Sequence, residues 1–150
     1  MIDDPLNEEI TNAPIAGSMN AWFDMIMNDT KVTPENFLEK QMEQSNIRLK
    51  YLRYKYKYSV QLNREKIDLD KYVLVEMEKL GKQNMLRDDK QKLSIIKTYE
   101  EYTRRLHDIS KLQAIYDTIS DAMASVNDIG YAANNIIKQL EFDRQLEKGI

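Results

Sequence analysis

The chain has no cysteine, three prolines and four glycines among 150 residues. Without cysteine there is no disulfide framework, no thiolate zinc site and no thiol nucleophile. Pro5 and Pro14 lie in the first 17 residues, and no proline follows Pro34. A body free of the main helix breaker reads as all-helical. No run of eighteen apolar residues occurs, so no membrane span is expected. The opening MIDDPLNEE lacks the basic and apolar regions of a signal peptide. There is one histidine, His107, which reads as a surface or boundary residue. GxxxxGK[ST], Gly-rich dinucleotide turns and HExxH are all missing. The carboxylate pairs Asp68/Asp70 and Asp88/Asp89 read as caps or solvated groups rather than metal ligands. With no base poised beside a nucleophile, an enzyme is not expected, and neither is a cofactor or a bound metal.

The chain does have helical periodicity. Its length suits one domain, residues 1–150, with a loose acidic arm over 1–17. Ser18 is placed to cap a short helix carrying Trp22, Phe23, Met25 and Ile26. Thr33, Pro34 and Glu35 form a helix start: a capping hydroxyl, a first-turn proline and an acid at the positive end of the dipole. A long helix is predicted from Pro34 to about Leu80, with a stop at Gly81. At about 100° per residue, Leu38, Met42, Leu49, Leu52, Tyr56, Val60, Ile67 and Leu74 fall on one stripe, the expected core face.

Asp88 or Asp89 is expected to cap a second long helix. Its seam of Ile95, Tyr99, Tyr102, Leu106, Ile109, Leu112, Tyr116, Ile119, Met123 and Val126 follows a 3-4 rhythm. The rhythm continues through Gly130, Ala133, Ile137 and Leu140 in an amphipathic C-terminal stretch, with a bend or break allowed near Asn127 to Gly130. The expected architecture is a long antiparallel helical hairpin with a short N-terminal helix and an amphipathic C-terminal helix. Such a hairpin buries one stripe per helix. A homo-oligomer is therefore expected, with its seam on Ile119, Met123, Val126, Gly130, Ala133, Ile137 and Leu140.

Charge is unevenly distributed. Residues 47–66, IRLKYLRYKYKYSVQLNREK, hold seven Lys or Arg and one Glu, a net +6, in a chain of net charge −3. The first 45 residues hold nine acids and two bases. On a helix, Lys50, Arg53, Lys57 and Arg64 share a sector beside the Leu52–Tyr56–Val60 stripe. Tyr51, Tyr54 and Tyr58 fall on another sector, read as exposed. Cations that track phosphates, next to rings that stack on bases, suit single-stranded nucleic acid. Phosphate binding of this kind is salt-sensitive and largely sequence-blind. The competing reading is a solvated basic face paired with acids of the N-terminal arm or of another subunit. A further possibility is an acidic arm that shields the basic face in the free protein and is displaced when nucleic acid arrives.

The C-terminal half carries RDDKQKLSIIK, then YDTISDAMASVNDIGYAANNIIKQLEF, then Gly149. With Asp89, Lys90, Gly130, Tyr131, Ile137, Phe142 and Gly149 in that order, it resembles the UvsY family of phage recombination mediators. Trp22, Asp29-Thr30-Lys31 and KYLRYK at Lys50–Lys55 extend the resemblance over roughly residues 22 to 149. The resemblance implies a helical homo-oligomer that binds single-stranded DNA in the cytoplasm of an infected bacterial host. It implies that the protein helps load a RecA-like recombinase onto DNA covered by single-strand-binding protein, and that only the recombinase uses ATP. The alternative is a structural coiled-coil adaptor, such as a virion or chaperone component, with no nucleic-acid affinity.

Overall fold

The computed structural model describes residues 18–83 and 88–149. The chain is all-α, with four helices and no strand among the described residues. They are α1 (Met19–Thr30), α2 (Phe37–Gln83), α3 (Asp89–Ile96) and α4 (Glu100–Glu147). No helix among them is long and apolar enough to cross a membrane. The acidic arm over 1–17, with its expected shielding role, lies outside the described residues.

The helix boundaries refine the sequence reading. Ser18 is the N-cap of α1 by position, with no side-chain capping bond. α2 starts at Phe37, after a turn in which the Thr33 amide donates to Asn36 Oδ1 at 2.7 Å. Gly81 does not stop α2, which runs on to Gln83. Asp88 caps α3 by accepting from the Gln91 amide at 2.8 Å. The second long helix is not continuous from this cap. It breaks over residues 97–99, where the Thr98 and Tyr99 amides bond three residues back instead of four. Glu100 and Glu101 then place two acids in the first turn of α4.

The tertiary contacts group into two compact units. The first comprises Met1–Tyr56 and Asp117–Ile150, the second Lys57–Tyr116. In the first, α1, the start of α2 and the end of α4 enclose Trp22, Ile47, Tyr51, Tyr54, Ile119, Ala122, Val126, Ile129 and Ala133. Here the start of α2 meets α4: Gln44 Nε2 donates to the Val126 carbonyl at 2.9 Å, and Arg48 Nε to Asn127 Oδ1 at 3.1 Å. In the second unit, Tyr58, Leu62, Leu80, Ile96, Ile109, Leu112 and Ile115 are buried. Arg105 lies 5.2 Å from the Tyr72 ring centroid. Burial of each large aliphatic side chain contributes roughly 1.5–3 kcal/mol, so these two clusters are the main source of stability.

The expected core face of α2 is on the outside. Leu38, Met42, Leu49, Leu52, Tyr56, Val60, Ile67 and Leu74 are all exposed. The buried residues Ile47, Tyr51, Tyr54, Tyr58 and Leu62 lie about half a turn away around the helix. Within the first unit the reason is fit. The rings of Tyr51 and Tyr54 pack edge-to-face on one another and on Trp22 of α1, which gives the aromatic stripe a matching surface. The Leu/Met/Tyr56 face has no counterpart of that shape within this unit.

α4 runs unbroken through Gly130. A methyl group added there would meet Gln44 Oε1 at 3.4 Å, an ordinary contact. Gly130→Ala is therefore expected to stabilise the chain by about 0.5–1 kcal/mol, by restricting the unfolded backbone. Thermal unfolding monitored by circular dichroism checks this, and a lower midpoint would show that the glycine is needed for close approach.

Candidate nucleic-acid interface

The seven residues expected to hold a strand fall in both units. In the first, α2 positions Lys50, Tyr51, Arg53 and Tyr54. Tyr51 and Tyr54 are buried, at 0% and 2% exposure. Their rings pack edge-to-face, with centroids 6.0 Å apart at 81°. Trp22 of α1 completes the cluster, meeting Tyr54 at 5.4 Å and 86°. Such edge-to-face pairs add roughly 0.5–1.5 kcal/mol each beyond the area they bury. These rings form the aromatic core that docks α1 onto α2, so they offer no face to a base.

Asp29, at the end of α1, organises the polar edge of this cluster. Its Oδ2 accepts from Lys50 Nζ at 2.7 Å and from the Tyr51 hydroxyl at 2.8 Å. Burial first, and then the hydrogen bond to Asp29, push the Tyr51 pKa far above its ordinary value of 10. Tyr51 therefore stays neutral and donating across the accessible pH range. The Lys50 ammonium also lies 5.8 Å from the Tyr51 ring centroid. Lys50 is thus engaged twice within the chain and serves to fix α1. Arg53 is half-buried on the next turn.

In the second unit, Tyr58 is buried as well, and burial raises its pKa. Lys57 Nζ lies 5.6 Å from the Tyr58 ring centroid. Arg64 is exposed. The expectation of a tyrosine stacking surface is thus corrected for all three rings. Of the four cations, Arg64 is the most open to solvent, and Lys50 is held by the Asp29 carboxylate. Among the described residues, no three His, Cys, Asp or Glu side chains are grouped to hold a metal ion.

The expected oligomer seam is corrected at the three of its residues that are buried within the chain. Ile119, Val126 and Ala133 are buried, and Met123, Gly130 and Ile137 are partly covered; only Leu140 is exposed. This face of α4 is taken up by packing inside the first unit. No protein-family model, curated protein or solved structure matches the chain.

Asp29 is the residue that sequence reasoning passed over as a functional group. The available signal was the basic segment itself: a lysine and a tyrosine at adjacent positions need a shared acceptor when they pack inward. Nothing local indicates that Asp29, 21 residues before Lys50, supplies it.

Proposed function

We propose that the protein is a helical, homo-oligomeric binder of single-stranded DNA that acts as a recombination mediator. In this reading the long helices form one antiparallel hairpin, and each subunit contributes a basic stretch to a repeated strand-binding surface. A RecA-like recombinase is loaded onto DNA covered by single-strand-binding protein, in the cytoplasm of an infected bacterial host. No bond is made or broken by the mediator. Many weak basic faces acting together loosen the grip of the competing protein through effective concentration.

The observation that carries the reading is the +6 charge of residues 47–66 in an otherwise acidic chain. The resemblance to UvsY proteins supports it. The buried tyrosines narrow the chemistry to phosphate contacts by Arg53, Lys57 and Arg64, with Lys50 adding only to the local field. Binding is then indifferent to base identity.

Titration with a labelled single-stranded oligonucleotide tests this. Three phosphate contacts on a single strand give a slope near −2, so affinity should fall roughly 20-fold between 50 and 200 mM salt. R53E/K57E/R64E should abolish measurable binding while leaving the circular dichroism spectrum unchanged. Unaltered binding by that variant would remove these residues from the site. No binding by the wild type at 50 mM salt would favour the second reading, a structural coiled-coil adaptor. That reading is supported by the inward tyrosines and by the Asp29–Lys50 lock, both of which give the segment a structural use.

A further inference from the structure

Packing in the first unit runs out before α4 does. The inward stripe of α4 is buried at Val126 and Ala133, partly covered at Ile137 and exposed at Leu140. Residues 138–149 are exposed throughout. Where this end of α4 meets the start of α2, an open groove of about 570 Å³ remains. Its apolar part comes from Phe37 and Leu38 of α2 and from Ile137 and Leu140 of α4. Glu141, Asp143, Arg144 and Glu147 line the rest, three carboxylates against one guanidinium. Among the described residues, none of these four side chains takes part in an ion pair. Glu39, next to Leu38 in the first turn of α2, adds a further carboxylate. The carbonyl end of α4 adds its negative dipole.

The groove is thus apolar with an acidic rim that the chain does not neutralise. From Glu141 to Glu147 the carboxylates extend along about 9 Å of α4, at 1.5 Å per residue. Among the described residues, no three His, Cys, Asp or Glu side chains are grouped to hold a metal ion, so one compact cation does not answer this charge. Charge spread along a helix is answered by lysines or arginines spread along a partner. We propose that the groove docks a cationic amphipathic helix of a partner protein. The apolar side of that helix meets Phe37, Leu38, Ile137 and Leu140, and its cations meet Glu141, Asp143 and Glu147. This is helix-in-groove recognition, with anchors at i, i+3 or i+4 and i+7. Apolar contact holds the segment, while the carboxylates select its sign and steer its approach. The same groove on a second copy carries the same excess of carboxylates, so it does not supply the complement. The inference goes beyond nucleic-acid binding and does not rest on it.

Fluorescence anisotropy of the full chain without nucleic acid tests it. The probe is a labelled peptide of about 14 residues, with leucines on one helical face and lysines elsewhere. It should bind the wild type at 50 mM salt, and the same peptide with glutamates for lysines should bind at least about tenfold more weakly. E141K/E147K should weaken the lysine peptide at least about tenfold, with an unchanged unfolding midpoint, since both positions are exposed. D70K/E78K makes the same change of net charge in the second unit and should leave binding intact. Leu140→Gln alters no charge and should still weaken it, because the apolar floor is reduced. In the cysteine-free background, Leu140→Cys carrying a benzophenone should crosslink to the peptide, and Arg64→Cys should not. No binding by the wild type, equal binding of both peptides, equal losses in E141K/E147K and D70K/E78K, or equal crosslinking at both cysteines would each overturn the proposal. So would sedimentation showing that the wild type self-associates and E141K/E147K does not, which would give the groove to a second copy. None of the groove variants touches Arg53, Lys57 or Arg64, so peptide binding and oligonucleotide affinity are read separately.

Discussion

Tyr54→Ala is expected to destabilise the chain by about 3–5 kcal/mol, whereas Tyr56→Ala, two positions along the same helix, should change it by less than about 0.5 kcal/mol. The two residues are chemically identical and differ only in the face of α2 they occupy. Tyr54 is 2% exposed and touches Trp22 and Tyr51 ring edge to ring face. Its removal leaves a cavity between α1 and α2 and loses both aromatic pairs. Tyr56 projects to solvent and loses little within one chain. Urea unfolding at low protein concentration, below any self-association, measures both values. Equal losses, or the reverse order, would show that the helix faces are assigned wrongly. Basic neighbours on either side of Tyr54 do not alter the expectation, because the deletion removes buried surface and no charge.

Asp29→Ala should cost about 2–3 kcal/mol. It leaves the buried Tyr51 hydroxyl without its acceptor and Lys50 without its carboxylate. The value stays at the modest end for a broken buried pair because both ionic partners keep some contact with water, at 25% and 16% side-chain exposure. A pH arm separates this from a loss of packing. The Tyr51 pKa is raised in the folded chain, whereas an unfolded tyrosine ionises near 10. Below pH 10 the contribution is fully present. Above it the unfolded state ionises and the folded state does not, so stability falls as pH rises. Asp29→Ala removes the hydrogen bond and the adjacent negative charge, leaving burial alone to hold the pKa up. The folded Tyr51 of the variant should therefore ionise at lower pH than that of the wild type, which ends its alkaline loss of stability earlier. An unchanged tyrosine titration of the folded chain would mean that Asp29 does not govern Tyr51.

These expectations come from a face that the sequence pattern presents ambiguously. α2 carries two apolar stripes about half a turn apart. One is aliphatic, with Leu38, Met42, Leu49 and Leu52; the other is aromatic, with Ile47, Tyr51, Tyr54 and Tyr58 on 4-3-4 spacing. Hydropathy favours the first, because tyrosine carries a hydroxyl and its neighbours here are lysines. The structure buries the second. Each ring hides its body while its lysine neighbours stay on the flank, and in Tyr51 the hydroxyl finds Asp29. On α4 the ambiguity is absent. Ile109, Leu112, Ile119 and Val126 are the strongest apolar positions under any reading, and they are buried. Leu106 is the exception on that seam and is exposed.

The sequence by itself determined the helical class, the cap at Asp88 and the inward face of most of α4. These follow from local chemistry: missing proline, capping carboxylates and one clear 3-4 rhythm. It also determined the excess of positive charge over residues 47–66, which is a matter of composition. Only the tertiary structure decided which stripe of α2 turns inward, because that depends on the shape of the surface opposite. Trp22 and Asp29 on α1 accept the rings and leave the aliphatic stripe to solvent. That choice moved the tyrosines from a strand-binding role into the core.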